Sequence, residues 1–390
     1  MPLIETTDEV VNFLLLGSDT SNPQNSGRTD VILIVSVHPA RGAVAFLSVP
    51  RDLYVYIPGW RIQRINTAYA HGEMLQQGQG PALLMETLQY NLGIQINHFA
   101  RVDFGDFVQI IDAIGGVDIA VDCAIEDWRL RELDLDPTDE ANWQMSTLPI
   151  GVHHLDGNLA LWYARSRRTS SDIDRGQRQQ ELLRAMWRQI KDLGLLSQLP
   201  DIWPQLMDVV ETDISLPAFL TLLPLALNLQ ERQVASYTFR LNADVSDRYS
   251  PEGERVLVPK RDAIEQLMRD FLTPPTISQL QSSALSVQIT NASGNPDLAQ
   301  IVADKLTWKG FQIVESVSSS ASIQHRTVIL DYTGRQKGSG IELLRSTLGL
   351  SEEQIVRDPD PARKTDYAVT IGSSYYPCTR NVLPPAQTTP

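Results

Sequence analysis

The sequence predicts an α/β protein of layered architecture, divided into two domains. Three observations carry this. Apolar runs at Val10–Gly17, Asp30–Val37 and Ala43–Val49 have strand length and little polar alternation, the pattern of strands buried on both faces in the middle of a sheet. After "SVPRDLYVYIPG", which ends at Gly59, helix and strand patterns alternate, which builds a sheet with helices layered on it. Finally, 390 residues exceed what one core usually supports, and the Pro-containing, small-polar stretch "FLTPPTISQLQSS" at 271–283 breaks the chain.

Taken in order, the polar loop "SDTSNPQNSGRTD" joins the first two strands, and the turn His38-Pro39-Ala40-Arg41-Gly42 joins the second and third. Helical patterns follow at Asn66–Gln76 and Pro81–Asn91, then a strand at Phe99–Val102 and a helix at Phe104–Ile114. Gly115-Gly116 ends that helix, and Val117–Val121 reads as the next strand. Residues 122–149 contain the acidic "RLRELDLDPTDE" and break the rhythm, as an insertion or long surface excursion would. Helical periodicity resumes at Asp156–Tyr163 and Asp174–Leu193. The Leu-rich patterns at Ile202–Val210 and Leu216–Leu227 either cover the sheet or line an apolar cavity.

The resulting division is a first domain at 8–272, a linker at 273–283, a second domain at 284–376 and a Pro-rich tail at 377–390 expected to be disordered. The second domain reads as strand (Leu285–Thr290), helix (Pro296–Lys309), strands (Phe311–Val314, Thr327–Tyr332), helix (Ile341–Leu348) and strand (Ala368–Ile371). Few sequence signals tie the two together, so the first is expected to fold without the second.

Charge narrows the function. With 33 basic against 47 acidic residues the net charge is −14, which argues against nucleic-acid binding and confines any anion site to a local cluster. The two cysteines, Cys123 and Cys378, have no zinc-ligand spacing; a single bridge between them is left open. No stretch reaches the roughly 18–20 apolar residues that span a bilayer, and Met1-Pro2-Leu3-Ile4 does not begin a signal peptide. Any membrane anchor is expected upstream.

One cluster stands out: "YARSRRTSSDIDRGQRQQ" at 163–180 places five arginines in eighteen residues. If Tyr163–Arg168 is extended, Arg165 and Arg167 share one face and Arg168 takes the other. The "SSDID" stretch caps the following helix, so that Arg175 falls in its first turn and Gln179 four residues on, on the same face. Guanidinium forks beside a helix N-terminus suit phosphate oxygens. The competing reading, arginines on a solvated face or paired with surface carboxylates, carries similar weight on this segment alone. The strand ends add Asp19, Asp30, Arg51 and Asp52, where ligands of open α/β sheets collect, and Asp19 with Asp30 could hold Mg²⁺ against a phosphate. His153 and His154 precede "LDG" in a turn-like setting without nucleophile spacing and are assigned structural or surface roles.

The motifs "FLLLGSDT", "GRTDVILIVSV", "LSVPRDLYVYIPG", "RINTAYAHGE", "VDFGDFVQIIDAIGGVDI", "HHLDGNLALWYARSR" and "DIDRGQRQQELLRAM", over roughly residues 10–195, resemble in order those of the LytR-CpsA-Psr proteins. The resemblance implies an α/β/α-like catalytic domain about a central mixed sheet. It implies a phosphotransferase that moves a glycopolymer from a polyprenyl diphosphate carrier to peptidoglycan or another envelope acceptor, at the extracytoplasmic face of the bacterial cytoplasmic membrane. Family members usually carry an N-terminal anchor, which this stretch lacks. The implied cofactor is Mg²⁺, with Asp19 and Asp30 in metal and acid–base roles that the sequence does not separate. Arg51, Arg165, Arg167, Arg175 and Gln179 match the diphosphate positions, and Arg28 and Asp52 extend the set.

Residues 285–376 resemble the smaller α/β LytR C-terminal accessory domain and show no catalytic constellation. The poor match of 122–149 leaves acceptor recognition open. Two rivals stand beside the transferase: a polyprenyl diphosphate hydrolase, and a non-catalytic binder of anionic wall polymer.

Overall fold

The computed structural model describes residues 1–6, 9–18, 29–132, 135–136, 138–275, 285–318, 323–334 and 340–380. These form two compact units: Met1–Val117 with Asp156–Arg165 and Ser171–Ile277, and Asp118–Leu155 with Ser166–Ser170 and Ser278–Pro390.

The elements begin with β1 (Val11–Ser18), β2 (Thr29–His38), β3 (Ala43–Ser48), β4 (Tyr54–Tyr56), β5 (Ile62–Arg64), α1 (Thr67–Leu75), α2 (Gly80–Leu92), β6 (His98–Asp103) and α3 (Phe104–Ala113). There follow β7 (Val117–Val121), β8 (Ile125–Leu130), β9 (Trp143–Leu148), β10 (Gly151–Leu155), α4 (Gly157–Arg165), α5 (Asp172–Asp192), α6 (Leu199–Val209) and β11 (Glu211–Thr212). Then come α7 (Leu216–Asn228), β12 (Val234–Thr238), β13 (Val245–Tyr249), β14 (Arg255–Pro259) and α8 (Arg261–Leu272). The chain continues with β15 (Ser286–Asn291), α9 (Asp297–Trp308), β16 (Gln312–Ser318), β17 (Val328–Asp331), α10 (Ile341–Leu348), β18 (Ile355–Arg357) and β19 (Tyr367–Ile371).

In the first unit a sheet runs β11-β6-β1-β2-β3-β12, and the three apolar runs of the sequence are its centre. It is mixed: β1 is antiparallel to β2 and β2 to β3, while β6 and β12 join as parallel strands outside them. The period of two sends Leu14, Leu16, Ile32, Ile34 and Leu47 into one core with Leu84, Leu88, Ile264 and Phe271 of α2 and α8. Phe13, Val37, Val44 and Phe46 face the opposite side, against Leu183 and Trp187 of α5 and Leu222 and Leu225 of α7. Helices on both faces leave no side of these strands wet, which is why they read as continuous apolar runs rather than alternating ones.

In the second unit β16-β15-β19-β17-β18 form a sheet whose core takes in Ile301, Val302 and Leu306 of α9 and Leu344 and Leu348 of α10. The acidic stretch after Val121 is ordered structure where described: β8 and β9 pair as an antiparallel hairpin with Ile125 opposite Leu148. β7 pairs with β10, and Ala120 and Ile150 pack on the core of the C-terminal sheet. The Val152 N–H donates to Asp297 Oδ2 at 3.1 Å. Cys123 and Cys378 are joined by a disulfide. Beside it Asp122, largely buried, pairs with Arg380 and lies 3.6 Å from Lys305 Nζ. The tail expectation is thereby corrected for 377–380, which is fixed by the bridge and the ion pair; 381–390 lie outside the described residues.

Candidate functional site

The site grows from strand polarity. Because β2 and β3 are antiparallel, with Leu33 opposite Ser48, the beginning of one strand lies beside the end of the other. The pairing continues one step through the Val49 N–H, which donates to Ile32 O at 2.9 Å. Pro50 has no N–H to extend it, and the chain turns, with the Leu53 N–H donating to Pro50 O at 3.0 Å. Asp30 and Arg51 consequently face each other at the sheet's edge, with Arg51 Nη1 donating to Asp30 Oδ1 at 2.6 Å.

Helix α5 supplies the other wall. Ser171 caps it in a reciprocal box with Asp174, so the first turn is fixed rather than frayed. Gly176 lets the helix approach β3 closely, since a Cβ there would lie 2.7 Å from Ser48 Cβ. Ser48 Oγ donates to Gly176 O at 2.9 Å, and Gln180 Nε2 bonds both Ser48 Oγ and Tyr237 O at 2.9 and 2.8 Å. Arg178, 1% exposed, donates from Nε to Tyr163 O at 2.9 Å and is a structural arginine. The opposite side of the turn then presents Asp172, Arg175 and Gln179 to a cleft also lined by Asp30 and Arg51.

Charges in this cleft are closely matched. Arg175 Nη1 lies 3.2 Å from Asp172 Oδ1, and Arg51 Nε lies 3.8 Å from both Asp172 Oδ2 and Asp52 Oδ2. Burial works against the Arg51 guanidinium, but Asp30, Asp172 and Asp52 together outweigh it and raise its pKa. Burial raises the pKa of Asp52, and the Asp172 carboxylate beside it raises it further; Arg51 and Arg64 only partly offset this.

Asp30, Arg51, Arg175 and Gln179 thus meet, with Asp52 adjoining through Arg51. The extended reading of Tyr163–Arg168 is corrected: Gly157–Arg165 is helical, with Ala160 to Ala164 all buried and nothing to break the helix before Ser166. Arg165 ends that helix, exposed, with its guanidinium 4.3 Å from the centre of the Phe104 ring. Arg167 lies in the Ser166–Ser170 segment of the second unit, its backbone N–H donating to Asp127 Oδ2 at 2.7 Å and its side chain exposed. Arg168 pairs with the buried Glu126. The three arginines therefore do not follow a strand alternation. Asp19 and Arg28 lie outside the described residues. His153 and His154 lie on β10 rather than in a turn; His153 Nε2 meets Pro149 O and His154 Nδ1 meets Asp118 Oδ1, each at 2.8 Å.

Asp172 is the cleft residue that sequence reasoning missed. The sequence places it only within a capping stretch, although its spacing of three from Arg175 is that of a same-face helical ion pair.

The donor set suits a hard divalent cation. Asp172 Oδ2 is buried without a hydrogen-bond partner, and its pressure on Asp52 is what a shared proton or a cation relieves. Among the described residues no three His, Cys, Asp or Glu side chains converge as a metal site, but Mg²⁺ commonly takes only one or two carboxylates beside phosphate oxygens and water.

Comparison with known proteins places the chain in a family. The chain is 32% identical over 216 residues to the probable cell wall biosynthesis protein LcpB of Corynebacterium glutamicum, covering 52% of this chain and 47% of the relative. It is 31% identical over 217 residues to the polyisoprenyl-teichoic acid–peptidoglycan teichoic acid transferase TagU of Oceanobacillus iheyensis, covering 55% and 62%. The chain thus spans about half to three-fifths of the length of these two relatives. In fold it is similar to Bacillus subtilis TagV (TM-score 0.55, 23% identity, 69% of this chain and 100% of that one). It is also similar to TagT bound to LIIa-WTA (TM-score 0.52, 25% identity, 69% and 92%). Residues 284–375 match the family described as LytR cell envelope-related transcriptional attenuator. Residues 3–272 match the LytR_cpsA_psr family, and the chain belongs to it.

Proposed function

We propose that the chain is a glycopolymer phosphotransferase, taking its donor from a polyprenyl diphosphate carrier and its acceptor from peptidoglycan or another envelope polymer. The observation that carries the reading is the cleft at the sheet edge, where Arg51 and Arg175 stand among Asp30, Asp172 and Gln179. Guanidinium forks held by carboxylates are pre-oriented for a diphosphate, which would replace those carboxylates as their partner. TagU is named for this transfer and a TagT structure is named as bound to LIIa-WTA, which supports the donor class. Arg165, exposed at the end of α4, is proposed to reach the same donor, and Arg167 is proposed as a donor contact from its match to the family's motif alone.

In the proposed step an acceptor oxygen forms a bond to the sugar-linked phosphorus. The bond from that phosphorus to the prenyl phosphate oxygen breaks, and its electron pair leaves on the prenyl phosphate. The acceptor proton passes to a carboxylate, Asp30 or Asp19. Arg51 and Arg175 hold the charge that develops on the phosphate oxygens, so catalysis is mainly positioning and electrostatic stabilisation. Asp30 and Asp19, with Asp172, are the residues proposed to hold Mg²⁺, which would neutralise diphosphate charge.

The prenyl chain needs an apolar bed, and α7 is suited to it: Leu216–Asn228 is almost wholly apolar yet has no fully buried residue. Trp203 of α6 and Phe219 of α7 meet with ring centres 5.6 Å apart. Among the described residues no helix is long and apolar enough to cross a membrane; placement at the extracytoplasmic membrane face is part of the proposal. The test is release of prenyl phosphate from a lipid diphosphate-linked saccharide, with and without Mg²⁺ and acceptor. Acceptor-linked product is expected. Release that ignores acceptor would indicate a hydrolase, and no release would indicate a binder.

A further inference from the structure

The Pro50–Leu53 segment that carries Arg51 and Asp52 is held from two sides. From one side Leu257 of β14 bridges Leu53, and its N–H donates to Asp52 O at 2.9 Å. From the other the Ile65 N–H donates to Leu53 O at 2.8 Å and the Asn66 N–H to Arg51 O at 3.3 Å. The β13–β14 turn is itself fixed, since Ser250 Oγ accepts from the N–H groups of Glu252 and Glu254 at 3.2 and 3.3 Å. A second cleft results, about 720 Å³ with its open mouth, lined by Trp60, Gln63, Arg64, Thr67, Glu252 and Glu254 among others.

Arg64 lines this cleft and is linked to the diphosphate site through Asp52. Its Nη2 lies 2.8 Å from Glu254 Oε1 and its Nη1 3.5 Å from Asp52 Oδ1, while Asp52 lies 3.8 Å from Arg51 Nε. Arg64 Nε is buried and has no hydrogen-bond partner. The Trp60 indole is set by stacking on His71 at 3.9 Å and 13° and by the Arg61 guanidinium over the ring, 4.8 Å from its centre, so it needs no further ordering at the cleft. Two arginines, Arg61 and Arg64, face two glutamates, Glu252 and Glu254, and the lining therefore offers no net attraction to an anion. An aromatic ring, carboxylate acceptors and amide and guanidinium donors together suit a polyhydroxylated, uncharged ligand.

We infer that this second cleft is the acceptor subsite and that it takes an uncharged saccharide, with one hydroxyl turned toward the Asp52–Arg64 wall. The inference deepens the transferase reading above and rests on it. A polymer rich in phosphate would bring its charge against Glu252 and Glu254 and is disfavoured there, which separates the acceptor from an anionic donor polymer.

The test uses the full chain and two probes. N-acetylchitotetraose is titrated while the Trp60 indole N–H resonance, identified by Trp60→Phe, is followed; farnesyl diphosphate with Mg²⁺ is titrated separately by calorimetry. The tetrasaccharide is expected to shift the Trp60 resonance. Glu254→Gln and Glu252→Gln are each expected to weaken that binding about tenfold, as loss of a charged hydrogen bond does, and to leave farnesyl diphosphate affinity within about twofold. Glu252 is exposed and touches none of the diphosphate residues, so its variant keeps the test decisive should Glu254→Gln disturb Arg64. No shift at millimolar tetrasaccharide, or equal saccharide affinity in wild type and both variants, overturns the subsite. Saccharide binding by a chain that does not bind farnesyl diphosphate overturns the acceptor role through failure of the transferase reading, and is distinguishable from failure of the cleft itself.

Discussion

Arg51 and Asp30 hold each other across the edge of the sheet, Nη1 to Oδ1 at 2.6 Å, although 21 residues separate them in the chain. The pair follows from the β2–β3 register and ties the candidate cation-binding carboxylate to a candidate phosphate-binding guanidinium. Arg51→Lys keeps the charge but loses the fork that spans Asp30 on one side and Asp52 and Asp172 on the other. Affinity for a prenyl diphosphate is expected to fall about tenfold to a hundredfold, read by calorimetry.

Asp52 gives a pH signature. Burial and then Asp172 raise its pKa above the ordinary value of 3.8, so the folded chain binds its proton more tightly than the unfolded chain does. Stability is therefore lost as pH rises from that ordinary value through the raised one. Asp52→Asn removes the loss: without divalent cation it should melt higher than wild type at neutral pH, with the difference shrinking as the pH is lowered below the carboxylate range. A difference independent of pH would contradict the assignment.

Gly176→Ala tests the approach of α5 to β3. Alanine is the better helix former, but its Cβ would meet Ser48 Cβ at 2.7 Å. Overpacking is expected to prevail, with a loss of about 1–3 kcal/mol in denaturant unfolding and a weaker diphosphate site, because Arg175 and Gln179 move with the helix.

The contrast between α5 and α4 shows what was legible. The central strands, the Gly115-Gly116 stop and the face shared by Arg175 and Gln179 were readable because each rests on local pattern: apolar runs, positive-φ glycines and a cap. Arg165 escapes a local reading because a basic stretch between a buried helix and a capped one has no periodicity of its own, and the burial of Trp162, Tyr163 and Ala164 just before it is a matter of tertiary packing. β8, β9, β13, β14 and β18 are short and partly exposed, so their alternation is weak. The Cys123–Cys378 bridge was undecidable, since 255 residues separate its ends.

That bridge changes the expectation for a shortened chain. Ending at Pro275 would remove Cys378, Arg380 and the core that covers Ala120 and Ile150, leaving Asp122 without these partners. The first unit should still fold, but residues 118–155 should become protease-sensitive. In the full chain, Cys123→Ser with Cys378→Ser should cost about 2–5 kcal/mol, measured by denaturant unfolding.

The most direct test of the central claim is the affinity of the full chain for farnesyl diphosphate in Mg²⁺, compared among Arg175→Lys, Arg51→Lys and Arg168→Lys. Arg175 and Arg51 line the cleft, whereas Arg168 pairs with Glu126 in the second unit. The expected result is a loss of about tenfold or more for the first two and none for the third; equal affinity in all three variants and the wild type would contradict the claim that this cleft holds the diphosphate.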